Sequence, residues 1–345
     1  MTDERRTTAF SFRRQRLDVS ATSALEAIRA IVGVYSANPT GPLSIRVRAP
    51  SATREEVLAC DADRTTVRMR AMRTSAFVLP RGTAPLVRAA TAVPIERFSW
   101  MLRAAHVTPD AFEDARRAVL AAAAEPSTAQ ELRSRLDIDG LEIGPLLSML
   151  SLRGDLVSVG SGSVTSNASR YLARDAWLDG ALEPDDPDPA AARAWLAGAY
   201  LRAFGPARIA DFAWWSGLSG RLASEALASH ETVDAGGGLL LAAEDVAAFE
   251  VTEPLATGVT LVPKWDAWTM GYPIDGRAIG AWIHRAAGTA MAVDVDPFEP
   301  ASARVREALE VRFGELAAFL GYRRVTIRVV RSVIPQRRRI RRAMD

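Results

Sequence analysis

Arginine is the residue type whose spacing in this sequence indicates chemistry, and that chemistry is the binding of phosphate. Over residues 66–80, Arg68, Arg70 and Arg73 alternate, or nearly so, with apolar residues. Clustered arginines are an electrostatic footprint for the phosphate backbone of nucleic acids. The same pattern also suits a solvated strand face, and both interpretations stay open.

Three further groups extend this basic pattern. Arg46 and Arg48 alternate with apolar residues over 43–49. The C-terminal stretch 328–345 carries seven arginines and one acidic residue, and the N-terminal stretch 5–17 is also basic. We expect a double-stranded DNA partner, contacted by the residues listed next: Arg46, Arg48, Arg68, Arg70, Arg73, Arg337, Arg338 and Arg339. A solvated, partly disordered tail is the alternative for the C-terminal group.

Composition argues against several other classes of function. Cys60 is the only cysteine, and His106, His230 and His284 share no ligand spacing, so we expect neither a metal nor another cofactor. No run of about 18 apolar residues is present, which predicts no membrane association. The N-terminus lacks the apolar region of a secretory signal. We expect a monomer in the cytoplasm, associated with the nucleoid.

The small net charge of +2 carries little information by itself. Lys264 is the only lysine, and this preference for arginine, with so much alanine, is also typical of a GC-rich genome. The distribution of the charge is therefore a better guide to a nucleic-acid partner than its sum.

The elements that must position these arginines are helices and Gly-tipped hairpins. The clearest is GPARIADFAWWSGL (205–218), which with the following RLASEALAS predicts a helix–turn–helix unit. Trp214 and Trp215 close its first helix, and we interpret both as core residues. At 345 residues the chain predicts two to four domains.

The same arrangement of helices followed by a strand pair occurs three times. The first unit (1–82) has a helix capped by Ser23 and strands over 43–49 and 66–80. The second (83–182) has helices over 84–124, a cap at Ser127 or Thr128, and a hairpin over 156–171 whose Gly-Ser tip could present backbone N–H groups to phosphate. The third (190–252) follows an acidic, Pro-rich linker and ends in a hairpin with a Gly-Gly-Gly bend. We predict an α+β fold of tandem winged-helix units.

The last region, 253–345, is rich in predicted strands. Asp275-Gly276 predicts a hairpin turn. The stretch 305–320 predicts an amphipathic helix, RVTIRVVRSVIP predicts a final strand, and the basic tail follows.

Several segments in order along the chain resemble the AlkZ/YcaQ-like family of winged-helix DNA-binding proteins, which includes DNA glycosylases. The resemblance rests on GPARIADFAWWSGL, TLVPKWDAWTMGY and DGRAIGAW, with VGVYSANP and MRTSAF as further segments. It implies three winged helices around a concave DNA-binding face and a small C-terminal β-barrel. It also implies hydrolysis of the N-glycosidic bond of bulky alkylated purines, or the unhooking of crosslinks, without a cofactor.

The resemblance places the catalytic site in the loop before Asn38-Pro39, where active members carry Gln-x-Gln. Tyr35 and Ala37 occupy those positions here, and a register shifted by one residue gives Ser36 and Asn38. The reaction needs a polar side chain that orients water and stabilises positive charge at the sugar. Asn38 and Ser36 are therefore the candidate catalytic residues of this loop.

Three more positions can be compared with the family. Arg73 matches a family arginine, whereas Phe77 stands where the family has histidine. Asp266 matches the family acid and is the third catalytic candidate, but Ala267 replaces the glutamate that follows it. Asp266 could equally be a helix cap or a hydrogen-bond partner. Three functions remain: a glycosylase, a non-catalytic DNA-binding relative, and a scaffold whose winged helices contact protein.

Overall fold

The computed structural model describes residues 4–136, 140–178, 187–255, 259–270 and 280–331. These ranges contain both helices and strands, so the predicted α+β class is confirmed. The α-helices are α1 (Glu4–Arg14), α2 (Ala24–Ala30), α3 (Thr40–Arg48), α4 (Arg54–Ala62), α5 (Ala84–Thr91), α6 (Ser99–Ala104), α7 (Phe112–Ala122), α8 (Ala129–Arg135), α9 (Ile143–Arg153), α10 (Arg174–Leu178), α11 (Pro189–Phe204), α12 (Ile209–Ser216), α13 (Gly220–Leu227), α14 (Val246–Glu250), α15 (Ala267–Met270) and α16 (Ala303–Leu320). The 3-10 helices are Met72–Thr74, Ile95–Phe98 and Ala243–Asp245.

The strands of the described ranges form three separate sheets. They are β1 (Val34–Tyr35), β2 (Thr66–Arg70), β3 (Ala76–Pro80), β4 (Leu156–Gly160), β5 (Ser169–Ala173), β6 (Thr232–Asp234), β7 (Leu240–Ala242), β8 (Gly280–Ala287), β9 (Ala290–Pro297) and β10 (Arg324–Val329). The largest sheet has the order β1-β3-β2-β4-β5 and is antiparallel throughout. Its β2–β3 and β4–β5 hairpins confirm the strand pairs predicted over 66–80 and 156–171.

One pairing joins these two hairpins. Arg68 of β2 faces Ser158 of β4 across the sheet. The sheet therefore continues across the boundary predicted between residues 82 and 83. The β6–β7 hairpin of the third predicted unit forms a sheet of its own.

The strand predicted over 43–49 is wrong, because this stretch belongs to helix α3. Alternating apolar and basic residues predict a strand only if the polar side chains face water. Here seven of the nine residues of α3 are buried, including Arg48. The pattern therefore reflects a helix that is enclosed on most sides.

Helix starts follow their predicted caps. The Ser23 side chain accepts a hydrogen bond from Glu26 N–H at the start of α2. Thr128 and Glu131 form a reciprocal capping box at the start of α8. In the helix–turn–helix of α12 and α13, Gly217 closes α12 with a φ of 83°.

The C-terminal barrel implied by the resemblance is not present in the described residues. Strands β8, β9 and β10 form an open sheet of order β10-β9-β8. The pairing of β9 with β10 is parallel, and α16 connects them. A parallel pair needs a long crossover, and the predicted amphipathic helix supplies it by packing Phe313 onto the sheet residue Trp282. The hairpin predicted at Asp275-Gly276 lies outside the described residues.

Two clusters of buried apolar side chains hold these elements together. The larger cluster draws on elements from α2 to α16 and includes all three predicted units. The smaller one is formed by α7, α8, α9 and their neighbours. The first and third units thus share one core, which fixes the loop after β1 relative to α12.

Candidate nucleic-acid interface

The loop that carries the catalytic candidates lies between an edge strand and a buried helix. Val34 and Tyr35 of β1 pair with Val78 and Phe77 of β3. The chain then turns and begins α3 at Thr40. Residues 35–37 are partly exposed, whereas Asn38 is only 8% exposed. The sheet and the helix therefore fix both ends of this loop.

Asn38 attaches the loop to the tip of the β4–β5 hairpin. Its Nδ2 donates to the carbonyl oxygens of Ser163 and Ser166, at 3.0 and 2.6 Å. The Asn167 side chain accepts from Asn38 N–H at 2.7 Å and donates to its carbonyl at 2.9 Å. Asn38 Oδ1 is buried and accepts no hydrogen bond from the described residues. Asn38 is thus a structural bridge with one unused acceptor.

A cavity of about 260 Å³ lies between this loop, β2 and the β4–β5 hairpin. Its polar lining residues are Tyr35, Ser36, Asn38, Arg68, Arg70, Ser148, Ser151, Ser158, Ser166, Asn167, Ser169 and Tyr171. The catalytic candidates Ser36 and Asn38 therefore share one polar cavity. Ala37 also lines it, but its methyl group offers no hydrogen bond.

Asp266 lies elsewhere and is fully buried. The Arg48 guanidinium donates to its two oxygens at 2.7 and 2.9 Å, and Ser44 Oγ donates at 2.6 Å. Asp266 also accepts from Trp268 N–H, which caps the short helix α15. Asp266 therefore acts as the hydrogen-bond partner and helix cap that the sequence left open as alternatives to catalysis. Its carboxylate is enclosed by these contacts and has no access to a substrate.

The DNA contact predicted for Arg48 is wrong, because its side chain is fully buried in the pair with Asp266. Arg46 is partly buried: it donates to the Ala52 carbonyl at 3.1 Å and lies 5.6 Å from the ring centre of Phe319. Burial lowers the pKa of Arg46. Arg46 and Arg48 both belong to α3. The wrong DNA contact for Arg48 therefore follows from predicting a strand there.

The three arginines of 66–80 differ in their surroundings. Arg68 forms an ion pair with Asp61 at 2.8 Å, and both side chains are about 15% exposed. Arg70 is exposed and donates to the Thr74 carbonyl at 3.2 Å. Arg73 is exposed and lies over the Trp214 ring, 4.2 Å from its centre. Arg70 and Arg73 make no ion pair within the described part of the chain.

Arg73 sits in an unusual local conformation. Its φ of 51° is in the left-handed region, which few residues other than glycine adopt. Burial lowers the pKa of Arg73 and the neighbouring Tyr35 raises it, with a net lowering. An arginine side chain still stays protonated at neutral pH.

A second cation lies on an aromatic ring close by. Lys264 Nζ is 4.6 Å from the ring centre of Trp265, and Lys264 has no ion pair among the described residues. Trp265 lies 6.3 Å from Tyr35, whose ring also contacts Phe77 edge-on. We call Tyr35, Arg73, Trp214, Lys264 and Trp265 the aromatic–cationic cluster.

The exposed side of this cluster was not predicted, because the sequence pattern assigns both Trp214 and Trp215 to the core. Trp215 is buried, but Trp214 is 41% exposed. The adjacency of the two tryptophans could have indicated this exposure. Adjacent helical residues point in different directions, so two consecutive tryptophans seldom face the same core.

A larger cavity, of about 600 Å³, lies at the other end of β3. Pro80 lines this cavity, whereas Ala76 lines the smaller one. Five arginines surround it, among them three from the basic N-terminal stretch. Four of the five pair with acids: Arg13 with Asp18, Arg14 with Asp245, Arg16 with Glu26 and Arg202 with Glu244. The basic N-terminus is therefore largely neutralised within the fold.

Arg337, Arg338 and Arg339 lie outside the described residues. In the described ranges, no three His, Cys, Asp or Glu side chains come close enough to hold a metal ion. No helix in those ranges combines the length and apolar character needed to cross a bilayer.

Comparison with known proteins connects this geometry to a family. The model of the AlkZ-like DNA glycosylase family matches residues 30–273, a range that includes the loop after β1 and the aromatic–cationic cluster. The structure of the Streptomyces sahachiroi DNA glycosylase AlkZ is similar in fold, with a TM-score of 0.76 and 23% identity over 94% of this chain and 99% of that one. A search of curated proteins gives no match. Because the family model covers more than half of the sequence, this chain belongs to the AlkZ-like DNA glycosylase family.

Proposed function

We propose that this chain binds duplex DNA through the surface that carries the loop after β1 and the aromatic–cationic cluster. The observation that carries this proposal is a set of three cations without acidic partners among the described residues: Arg70, Arg73 and Lys264. Arg68, on the same strand as Arg70, is in contrast neutralised by Asp61. Unpaired cations on one surface are what a phosphate backbone requires.

The elements around these cations suit such a surface. The turn of the α12–α13 helix–turn–helix lies directly against Arg73, since a Cβ on Gly217 would be 3.0 Å from Arg73 N. The β4–β5 hairpin is tied to the loop by Asn38. The proposal therefore includes the tandem winged-helix interpretation of 1–82, 83–182 and 190–252, with the hairpin tip presenting N–H groups to phosphate.

Fluorescence anisotropy of a labelled duplex over a salt series tests this proposal. Replacing Arg70 and Arg73 with alanine should weaken binding and reduce the salt slope by about 2, since each phosphate contact contributes about 1. The matched control replaces Arg117 and Arg312, two surface arginines paired with acids at i−3 or i+3. Equal losses in both variants, or binding that ignores salt, would reject this surface and favour a protein-binding scaffold.

A second candidate function is glycosylase activity on a cationic alkylated purine. The observation that favours it is the unused, buried acceptor Asn38 Oδ1 in a residue that lines the polar cavity. Such an acceptor can orient a water molecule toward the sugar, and a cationic purine is already a good leaving group. Ser36, in the same cavity, offers a hydroxyl as a second hydrogen-bonding group.

The test is release of purine from duplex DNA that contains an N7-alkylguanine, scored as abasic sites. Release that disappears in Asn38→Ala or Ser36→Ala but persists in the double variant Arg48→Met/Asp266→Asn, which leaves no unpaired buried charge, would establish the loop as the catalytic site. No release by the wild type, together with intact salt-sensitive binding, would identify a DNA-binding relative without the chemistry.

A further inference from the structure

Two large aromatic side chains stand exposed on the proposed DNA-binding surface. Trp214 is 41% and Trp265 is 40% exposed. Each carries a cation on its ring, Arg73 on Trp214 and Lys264 on Trp265. Tyr35 connects the two rings, because it lies 6.3 Å from Trp265 and next to Arg73, which lies on Trp214. Single exposed apolar side chains are ordinary, but several aromatic rings exposed on one surface indicate a ligand that covers them.

The backbone around Trp265 is held firmly. Its φ of 66° is in the left-handed region, which is a genuine outlier for so bulky a residue. The carbonyl of Lys264, on one side, accepts from Thr40 Oγ1 at 2.9 Å. Asp266, on the other side, is locked in its buried ion pair with Arg48. The fold thus maintains a strained conformation that keeps the Trp265 ring at the surface.

The partner chemistry follows from these rings and cations. Base–aromatic stacking tolerates every base, because every base has a π-face, and adjacent cations suit the neighbouring phosphates. In a fully paired duplex, however, neighbouring base pairs cover those faces. Only a base that has left the helical stack presents one to a side chain.

We propose that Trp265 and Trp214 stack on an unpaired nucleobase, so that the chain prefers duplex DNA with an extrahelical base over fully paired duplex. This inference rests on the proposed duplex binding. Tyr35 extends the surface toward the polar cavity, since its ring is 6.3 Å from that of Trp265. Lys264 and Arg73 hold the phosphates on either side of the displaced base.

The experiment compares two labelled duplexes that differ by one unpaired thymine in one strand. The wild-type protein should bind the bulged duplex about 10-fold more tightly, within the range measured for base–aromatic stacking. Trp265→Ala and Trp214→Ala should each reduce this preference, which is measured for every variant as the ratio of its affinities for the bulged and the paired duplex. Trp265→Phe should keep part of it, and Trp100→Ala, at a 51% exposed tryptophan of α6, should keep all of it.

A second readout detects stacking itself. When 2-aminopurine replaces the unpaired thymine, its fluorescence should be quenched by the wild type and by Trp100→Ala, but not by Trp265→Ala. Equal affinity for the two duplexes would overturn this inference while leaving duplex binding intact. Failure to bind either duplex would overturn both proposals, and a preference that survives in Trp265→Ala and Trp214→Ala would overturn the stacking assignment.

Discussion

Arg48 and Asp266 form a bidentate ion pair in which both side chains are fully buried, although 218 residues separate them in sequence. The pair connects α3, which follows the candidate catalytic loop, to the segment that presents Trp265. Ser44 Oγ and the Trp268 N–H supply further hydrogen bonds to the carboxylate. The acid that the family resemblance suggested for catalysis therefore holds two parts of the proposed surface together.

Asp266→Asn should destabilise the protein strongly. Breaking a buried ion pair from one side leaves an uncompensated buried charge, here on Arg48, and costs about 3–5 kcal/mol. Thermal unfolding followed by circular dichroism measures the loss. Asp114→Asn, which removes a carboxylate from an exposed ion pair, is the control and should change the stability little.

The double variant Arg48→Met/Asp266→Asn separates structure from chemistry. Removing both charges should cost less than removing either one, because no unpaired buried charge remains. If Asp266→Asn instead unfolds like the wild type but loses purine release, Asp266 acts in the reaction and the structural assignment is wrong.

The contrast between Arg48 and the rest of α3 shows what local sequence can predict. Helices, caps and hairpins depend on neighbouring residues, so Ser23, Thr128 and the 156–171 hairpin were predicted correctly. The conformation of 43–49 depends on a distant partner that encloses it. No local pattern indicates that Arg48 pairs with the carboxylate of Asp266, 218 residues further along the chain.

Arg68→Ala and Arg73→Ala should have different consequences. Loss of Arg68 removes the partner of Asp61 in a mostly buried pair, so the midpoint of thermal unfolding should fall. Loss of Arg73 removes an exposed cation, so duplex affinity and the salt slope should fall by about one phosphate contact. Thermal unfolding measures the loss of stability, and fluorescence anisotropy measures the loss of duplex affinity, in both variants. The reverse assignment of effects would show that the exposed arginine is structural.

Asn38→Ala should loosen the β4–β5 hairpin. It removes the Nδ2 donor from the carbonyls of Ser163 and Ser166 and should cost about 2 kcal/mol. Hydrogen exchange of the hairpin amides reports this loss directly. Asn167→Ala is the matched control, because it also frees the hairpin from the loop but leaves Asn38 Oδ1 in place. Purine release lost in the first variant and kept in the second would assign chemistry to Oδ1.

The candidate site could be predicted only in part, for a related reason. Sequence placed Ser36 and Asn38 in one loop, and they do share a polar cavity. The aromatic–cationic cluster, in contrast, combines residues of four distant segments. Arg73 and Trp214 are brought together only by tertiary packing of the helix–turn–helix against the β2–β3 hairpin.

The free energy of unfolding should fall as the pH is lowered, because Asp294 becomes protonated. Burial alone raises the pKa of Asp294, but hydrogen bonds and charge from Arg285 and Arg328 outweigh it, and the net pKa is lowered. A carboxyl group with a lowered pKa in the folded state stabilises the protein above its unfolded value, about 4, and this contribution is lost as the pH falls through the folded value. Urea unfolding of wild type and Asp294→Asn should therefore differ at neutral pH and converge in acid. A difference that is independent of pH would contradict this account.

Gly217→Ala should weaken DNA binding without removing any charge. Gly217 has a φ of 83°, and a Cβ there would lie 3.0 Å from Arg73 N and 3.1 Å from Arg73 Cα. The left-handed conformation costs an alanine about 1–2 kcal/mol, and the contact must also shift the Arg73 backbone by a few tenths of an ångström relative to Trp214. Gly238→Ala is the matched control, since Gly238 has a φ of 75° but nothing within 4 Å of its Cβ position. Both variants should lose stability, whereas only Gly217→Ala should lose duplex affinity. If both variants bind duplex equally well, the position of Arg73 does not matter for binding, and the proposed surface must lie elsewhere.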